Sequence, residues 1–154
     1  MPAPAIYANL NFPPEVPLRG RLLAVLLAGM ALTVLLVAAH LVPDGRGYGT
    51  HEGLGMAPCG FYQQYGIPCA GCGMTTSFAY AVRGRLIAAF IAQPFGLILC
   101  LGTAAAFWSA IYVAATGRPA YLLLRFVPGR VHAVLWPSLT LAAWAWKIAL
   151  SAGH

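Results

Sequence analysis

Residues 22–42 form an apolar run without a single Asp, Glu, Lys or Arg. At 1.5 Å rise per residue, a helix of this length spans about 30 Å, the thickness of the hydrocarbon core of a bilayer. Backbone N–H and C=O groups find no partner in hydrocarbon, so a chain that commits such a run to the membrane commits it to a helix. The run exceeds the core of a secretory signal peptide, and a Pro-rich stretch precedes it, so it reads as an uncleaved anchor.

The rest of the composition agrees. The chain is 60% hydrophobic and 8% charged, whereas soluble domains carry roughly 25% charged residues. Two further apolar stretches fit spans, at 94–115 and 131–150. Pro94 opens the first of them, at a helical position where its missing N–H costs nothing. Trp136, Trp144 and Trp146 mark the second as one with interfacial aromatics, Pro137 is a candidate kink, and Lys147 is placed to snorkel to the headgroups. The expected fold class is therefore all-α: an integral membrane protein with about three transmembrane helices. Residues 1–21 are an extended tail, and 22–150 form one helical membrane domain.

The net charge is +6. The cations do not gather into a patch but sit at the ends of apolar runs, which fits lipid headgroups and excludes nucleic acid as a partner. Arg19, Arg21, Arg118, Arg125 and Arg130 fall on one side of a three-span arrangement. Arg46, Arg83, Arg85 and Lys147 fall on the other. The small excess favours an N-inside orientation.

Residues 43–93, between the first two spans, hold the reactive side chains. The part up to residue 60 is rich in Gly and Pro and carries Asp44, Arg46, His51 and Glu52, the marks of a solvent-facing loop, with Asp44 a turn residue beside Gly45. A helical pattern follows Cys72. Met74, Phe78 and Ala81 share one face, and Thr76, Tyr80 and Arg83 make a polar stripe on another. Gly84 interrupts the pattern, so the spacing predicts one or two short amphipathic helices over 74–92, interfacial or re-entrant as a hairpin. The stripe faces either a partner helix or water.

Three cysteines precede these helices: Cys59, Cys69 and Cys72. Two thiolates in Cys-x-x-Cys spacing can point at one ion, and Cys59 supplies a third ligand. Zinc or another thiolate-bound metal is the implied cofactor, with His51, in the same loop, as candidate fourth ligand. The same spacing serves thiol–disulfide chemistry, with Cys72 activated by the N-terminus of the helix that follows it. The chain lacks a surrounding βαβ pattern, which counts against a self-contained oxidoreductase. The third reading is a disulfide from Cys59 to Cys69 or to Cys72, which needs an oxidising compartment, and the fourth is free thiols. Cys100, mid-span, reads as a small packing residue. The three acids, Glu15, Asp44 and Glu52, are too scattered for a paired-carboxylate site, and no catalytic motif stands out.

The stretch Cys69-Ala-Gly-Cys72-Gly-Met-Thr-Thr-Ser-Phe, with Cys59 upstream, Gly84 as a break and Gln93-Pro94 before the next span, resembles a bacterial family of small membrane proteins known only as domain-of-unknown-function family 2752. The resemblance covers Cys59 to Leu101 and carries Gly73, Thr75 and Thr76 as well. Ala70 stands where the family often has proline, and Arg85 where an acid is common. Thr76 stands where many members have arginine, so a function of that arginine is either absent here or supplied by Arg83. The resemblance implies a multi-pass protein of the bacterial inner membrane and supplies no reaction and no cofactor.

These observations lead to a non-catalytic membrane subunit or scaffold with a cysteine-stapled loop. The small-residue faces 104–106 and 142–145 would pack on other membrane proteins or a second copy, in a lipid bilayer. The alternative is a metal-binding or thiol-redox membrane protein using Cys59, Cys69 and Cys72.

Overall fold

The computed structural model describes residues 15–119 and 129–152. Most of the N-terminal tail, Arg125 and His154 lie outside them. The described residues are all-helical: α1 (Leu18–His40), a short 3-10 helix (Thr50–Leu54), α2 (Gly60–Tyr65), α3 (Met74–Ala81), α4 (Leu86–Ala92), α5 (Pro94–Thr116) and α6 (Gly129–Ala152). Three helices, α1, α5 and α6, are long and apolar enough to cross a membrane. The protein is a multi-pass helical membrane protein.

α1 and α5 form the main pair and run antiparallel. The Val16 amide, just before α1, donates to Gly117 at the far end of α5 (2.7 Å). Their contact is built on alanines: Ala24 and Ala28 of α1 meet Ala110 of α5, flanked by Phe107, Val113 and Ala114. Lipid is as apolar as leucine, so two such helices gain by close backbone approach rather than by hiding large side chains. The large ones accordingly face outward: Leu22, Leu23, Val25, Leu26 and Leu27 are all exposed. Hydroxyls inside the spans fold back on their own helices. Thr33, Thr103 and Thr140 each donate to the carbonyl four residues earlier (2.9, 2.8 and 2.9 Å), which leaves no orphan donor toward hydrocarbon at these three positions.

Two arginines close helix C-termini. Arg21 donates through Nε and Nη2 to the Ala114 carbonyl (3.0 and 2.8 Å). Arg83 donates to the carbonyls of Ala38 and Ala39 at the end of α1 (3.2 and 2.8 Å). A cation at a C-terminus satisfies unpaired carbonyls and meets the negative end of the helix dipole.

The stretch 74–92 does form two short helices, with the break at the left-handed Gly84 (φ 74°). They pack on the start of α5. Thr76, Ser77 and Ala79 of α3 are buried, as are Ala89 and Ala92 of α4. The Ser77 hydroxyl lies 2.9 Å from the carbonyls of both Ala89 and Gln93. Gly96 of α5 lets that contact form, since a Cβ there would stand 2.9 Å from the Ser77 Cβ. All three residues of the polar stripe make contacts within the protein, and Arg83 is also exposed. Thr76 meets the Thr50 hydroxyl at 2.8 Å, Tyr80 is half-buried beneath the Arg85 guanidinium (4.8 Å), and Arg83 caps α1.

α6 continues through Pro137. Its later turns come back to the end of the molecule that holds the cysteine loop. Lys147 does not snorkel outward. It is buried and donates to the carbonyls of Gly47 (2.9 Å) and Ala92 (3.1 Å). Two aromatic pairs, Phe95–Trp136 and Phe90–Trp146, with centroids 5.9 Å apart in each, seat α6 against α4 and α5.

Candidate metal centre

Pro68 to Gly73 form a tight turn that carries two of the cysteines. The Cys72 amide donates to the Cys69 carbonyl (3.0 Å), and Met74 donates to Gly71 (3.1 Å). Gly73 then takes a left-handed conformation (φ 89°) as the N-cap of α3. This position demands glycine twice over. Its φ disfavours L side chains, and a Cβ would stand 2.7 Å from the carbonyl oxygens of Gly47 and Ala92, the same two that hold the Lys147 ammonium.

Two long-range bonds pin the turn, and Lys147 braces the backbone packed against it. The Trp144 indole N–H donates to the Pro68 carbonyl (2.9 Å). The Gln93 side-chain amide donates to the Ala70 carbonyl (2.8 Å). Lys147 draws the Gly47 loop and the end of α4 together beneath Gly73. Cys59 arrives from the other direction as the N-cap of α2.

The result is convergence of three sulfurs. The Sγ atoms of Cys59, Cys69 and Cys72 all lie within 4.8 Å of one another, and those of Cys69 and Cys72 are 3.2 Å apart. A disulfide holds its sulfurs at about 2.05 Å, and all four cysteines of the chain are free thiols here. The expected bond from Cys59 to Cys69 or to Cys72 does not form in this structure, because the backbone assembles a triad rather than one bonded pair. Cys100 is buried in α5, outside this group, as a packing residue.

His51 is brought close but not into the group. It lines a small cavity of about 70 Å³ together with Cys59, Cys72, Glu52 and Tyr62. Its ring nitrogens are not among the three mutually close ligand atoms. The 3-10 helix that carries it is pinned by the Thr50–Thr76 hydroxyl contact and by the Arg46–Glu52 ion pair (3.2 Å). That holds His51 at the cavity wall. Asp44 is the turn residue its sequence suggested: its Oδ1 accepts from the Arg46 amide (2.8 Å), and the Arg46 guanidinium keeps its carboxyl below the usual range.

The environments of the thiols differ. The Tyr62 amide at the start of α2, then the Cys72 and Cys69 thiols and the Phe61 amide, bring the Cys59 thiol down to about 7 against the opposing effect of burial, although no full capping hydrogen bond closes. Cys72 is pushed up to about 12, first by burial and then by its neighbours Cys69 and Cys59. This reverses an expectation: the helix N-terminus was to activate Cys72, but burial outweighs the dipole there, and Cys59 is the readily ionised thiol. The Lys147 ammonium is near enough to Cys72 for their charges to interact.

Three sulfurs so placed suit a soft cation, since thiolates select Zn²⁺, Cu⁺ and similar ions. With Zn–S near 2.3 Å, tetrahedral ligation sets the sulfurs about 3.8 Å apart. The Cys69–Cys72 pair, at 3.2 Å, would have to open by about half an ångström, and a separation at the 4.8 Å limit of the group would have to close by about 1 Å. Sequence reasoning singled out the three cysteines but missed the supports Gln93, Trp144 and Lys147. A glutamine between two apolar helices and a lysine inside a third were the available signals, because polar groups in such places require partners.

No curated protein and no solved structure matches this chain. Residues 59–108 match the profile of a family described as a protein of unknown function (DUF2752), and over that stretch, which holds the three cysteines, α2, α3, α4 and α5 as far as Trp108, the chain is similar to that family.

Proposed function

We propose that this membrane protein organises the loop between its first two spans around a thiophilic metal ion, zinc or copper(I), held by Cys59, Cys69 and Cys72. The observation that carries the reading is the approach of three sulfurs from two separate segments to within 4.8 Å of one another. A bound ion takes the stapling role that a disulfide would have had, joining the start of α2 to the turn before α3. Three protein ligands leave a fourth position, as in sites that keep an exchangeable ligand. The cavity beside Cys59 and Cys72 gives a water or small ligand room at that position.

The protein would act as a membrane subunit of the bacterial inner membrane rather than as an enzyme. Partner proteins or a second copy would pack on small residues left exposed in α5, such as Ala105 and Ala106. The charge bias favours the outer side for the metal loop.

Elemental analysis of the detergent-purified chain, paired with thiol counting by mass spectrometry, tests the reading. About one zinc or copper per chain is expected from a three-thiolate site of this kind, with its loss in Cys59→Ser, Cys69→Ser and Cys72→Ser. Metal-free protein with every cysteine alkylatable overturns it, and so does a Cys59 disulfide.

A further inference from the structure

A cleft of about 550 Å³ lies beside the cysteine turn, between the loop at Gly45–Tyr48, α4 and the last turns of α6. None of the three cysteines lines it, although Lys147, which does, also braces the turn that carries them. Its wall carries Lys147, only 7% exposed. An ammonium has three protons to donate. Two go to neutral acceptors, the carbonyls of Gly47 and Ala92, and the Tyr48 ring stands 5.8 Å away. Among the described residues no carboxylate reaches Lys147. Both ion pairs belong to Arg46, with Asp44 and Glu52, and Glu15 precedes α1 at the opposite end of the molecule.

A buried cation whose hydrogen-bond acceptors are two neutral carbonyls, with the Cys72 thiol as its nearest ionisable neighbour, is poorly compensated for its lost water. The cleft is the side from which an opposite charge can approach. Tyr48 and Tyr62, whose hydroxyls are 3.4 Å apart, face the same space and can hydrogen-bond a polar head. The other walls are apolar: Ala88 and Ile91 of α4, and Leu150 of α6. Ile91 and Leu150 are also exposed, the first on α4 beside the span α5 and the second at the end of the span α6. The cleft thus has a cationic, hydroxyl-lined end and a hydrocarbon exit. An inorganic anion would use only the first, and a neutral ligand would leave the ammonium as it is.

We propose that this cleft binds an anionic amphiphile, with its head group on Lys147, Tyr48 and Tyr62 and its hydrocarbon chain over Ile91 and Leu150.

Binding to the full chain in detergent, read by native mass spectrometry and a fluorescence titration, tests this with three probes: dioctanoyl phosphatidic acid, dioctanoyl phosphatidylcholine and inorganic phosphate. Saturable binding of the phosphatidic acid is expected, with the other two at least about tenfold weaker, as the loss of one charge-assisted contact implies. Lys147→Met should weaken it by a similar factor. Should that variant fail to fold, Ile91→Trp keeps the ammonium and obstructs the hydrocarbon exit, and it should lose the lipid while keeping its helical content. Equal binding of the zwitterionic lipid overturns the proposal. Inorganic phosphate matching the lipid overturns the amphiphile in favour of a free-anion site. Wild-type affinity in the folded variants overturns the placement.

Discussion

The side-chain amide of Gln93, the last residue before α5, donates to the carbonyl of Ala70, midway between Cys69 and Cys72, at 2.8 Å. The cysteine turn is thus held in register by the foot of a spanning helix. Gln93 is fully buried, and its Oε1 has no hydrogen-bond partner. The side chain is therefore kept in place for its N–H at the expense of an unpaired acceptor. Gln93→Leu should lower metal affinity by about 10–100-fold, the usual effect of removing a group that orients ligands. Competition against a chromophoric chelator measures it, and an unaltered affinity would mean that the turn holds its shape unaided.

Gly73→Ala should be severe. Its φ of 89° acts together with two carbonyl oxygens that would lie 2.7 Å from the new Cβ. Strain of the backbone alone costs about 1–3 kcal/mol, and the oxygens cannot retreat without releasing Lys147. Gly55→Ala is the control: its φ is 76°, but nothing stands within 4 Å, so it carries the conformational penalty only. Thermal unfolding in detergent should show the larger drop for Gly73. Equal drops would remove the packing argument.

The thiol environments predict opposite responses to pH in the metal-stripped protein. Cys59, lowered to about 7 from an ordinary 9.0, is ionised first in the folded chain. Between these values the unfolded chain holds the extra proton, so Cys59 makes stability rise with pH from about 7 to about 9, and that contribution is lost as pH falls through 7. Cys72, raised to about 12, does the reverse. Its contribution is intact below 9 and declines as pH climbs from 9 toward 12. Iodoacetamide labelling resolved by peptide mass should place the midpoint for Cys59 near 7, with Cys72 still protected at pH 9. Faster labelling of Cys72 than of Cys59 at neutral pH would contradict this ordering.

Arg83→Met should loosen the end of α1. It removes a cation from the carbonyls of Ala38 and Ala39, an interaction of about 1 kcal/mol in this setting. Arg83→Lys should restore part of the loss by supplying charge without the planar fork. Hydrogen exchange at the last turn of α1 gives the readout, and protection equal to wild type in the Met variant would show that the cap is dispensable.

Antiparallel packing of α1 on α5 puts Arg19, Arg21 and Arg118 at one end and the cysteine loop at the other. With the arginine end inside, a membrane-impermeant maleimide added to intact cells should label Cys59 after metal removal. A label that appears only once the membrane is permeabilised would invert the orientation.

The spans were legible because hydrocarbon imposes one rule on long uncharged runs, and the helices at 18–40, 94–116 and 129–152 follow it closely. The two short helices were legible from the spacing of Met74, Phe78 and Ala81 and from the break at Gly84. Less legible was where the polar groups point. Lys147 in an apolar helix fits snorkelling as well as burial, and only the placement of the Gly47 and Ala92 carbonyls separates the two. His51 lies nearer Cys59 in sequence than Cys72 does, yet it stays at the cavity wall because Thr50 and Glu52 tie its 3-10 helix elsewhere.

By itself, the sequence determined that this protein crosses a membrane on helices and gathers three of its four thiols in one loop. Both follow from local rules, the length of apolar runs and the identity of neighbours. Tertiary structure alone decided that three thiols form a triad, that Cys59 rather than Cys72 ionises readily, and that Gln93, Trp144 and Lys147 hold the site. Those outcomes depend on contacts between residues up to 100 positions apart, and on burial outweighing a helix dipole, neither of which a reading along the chain can weigh.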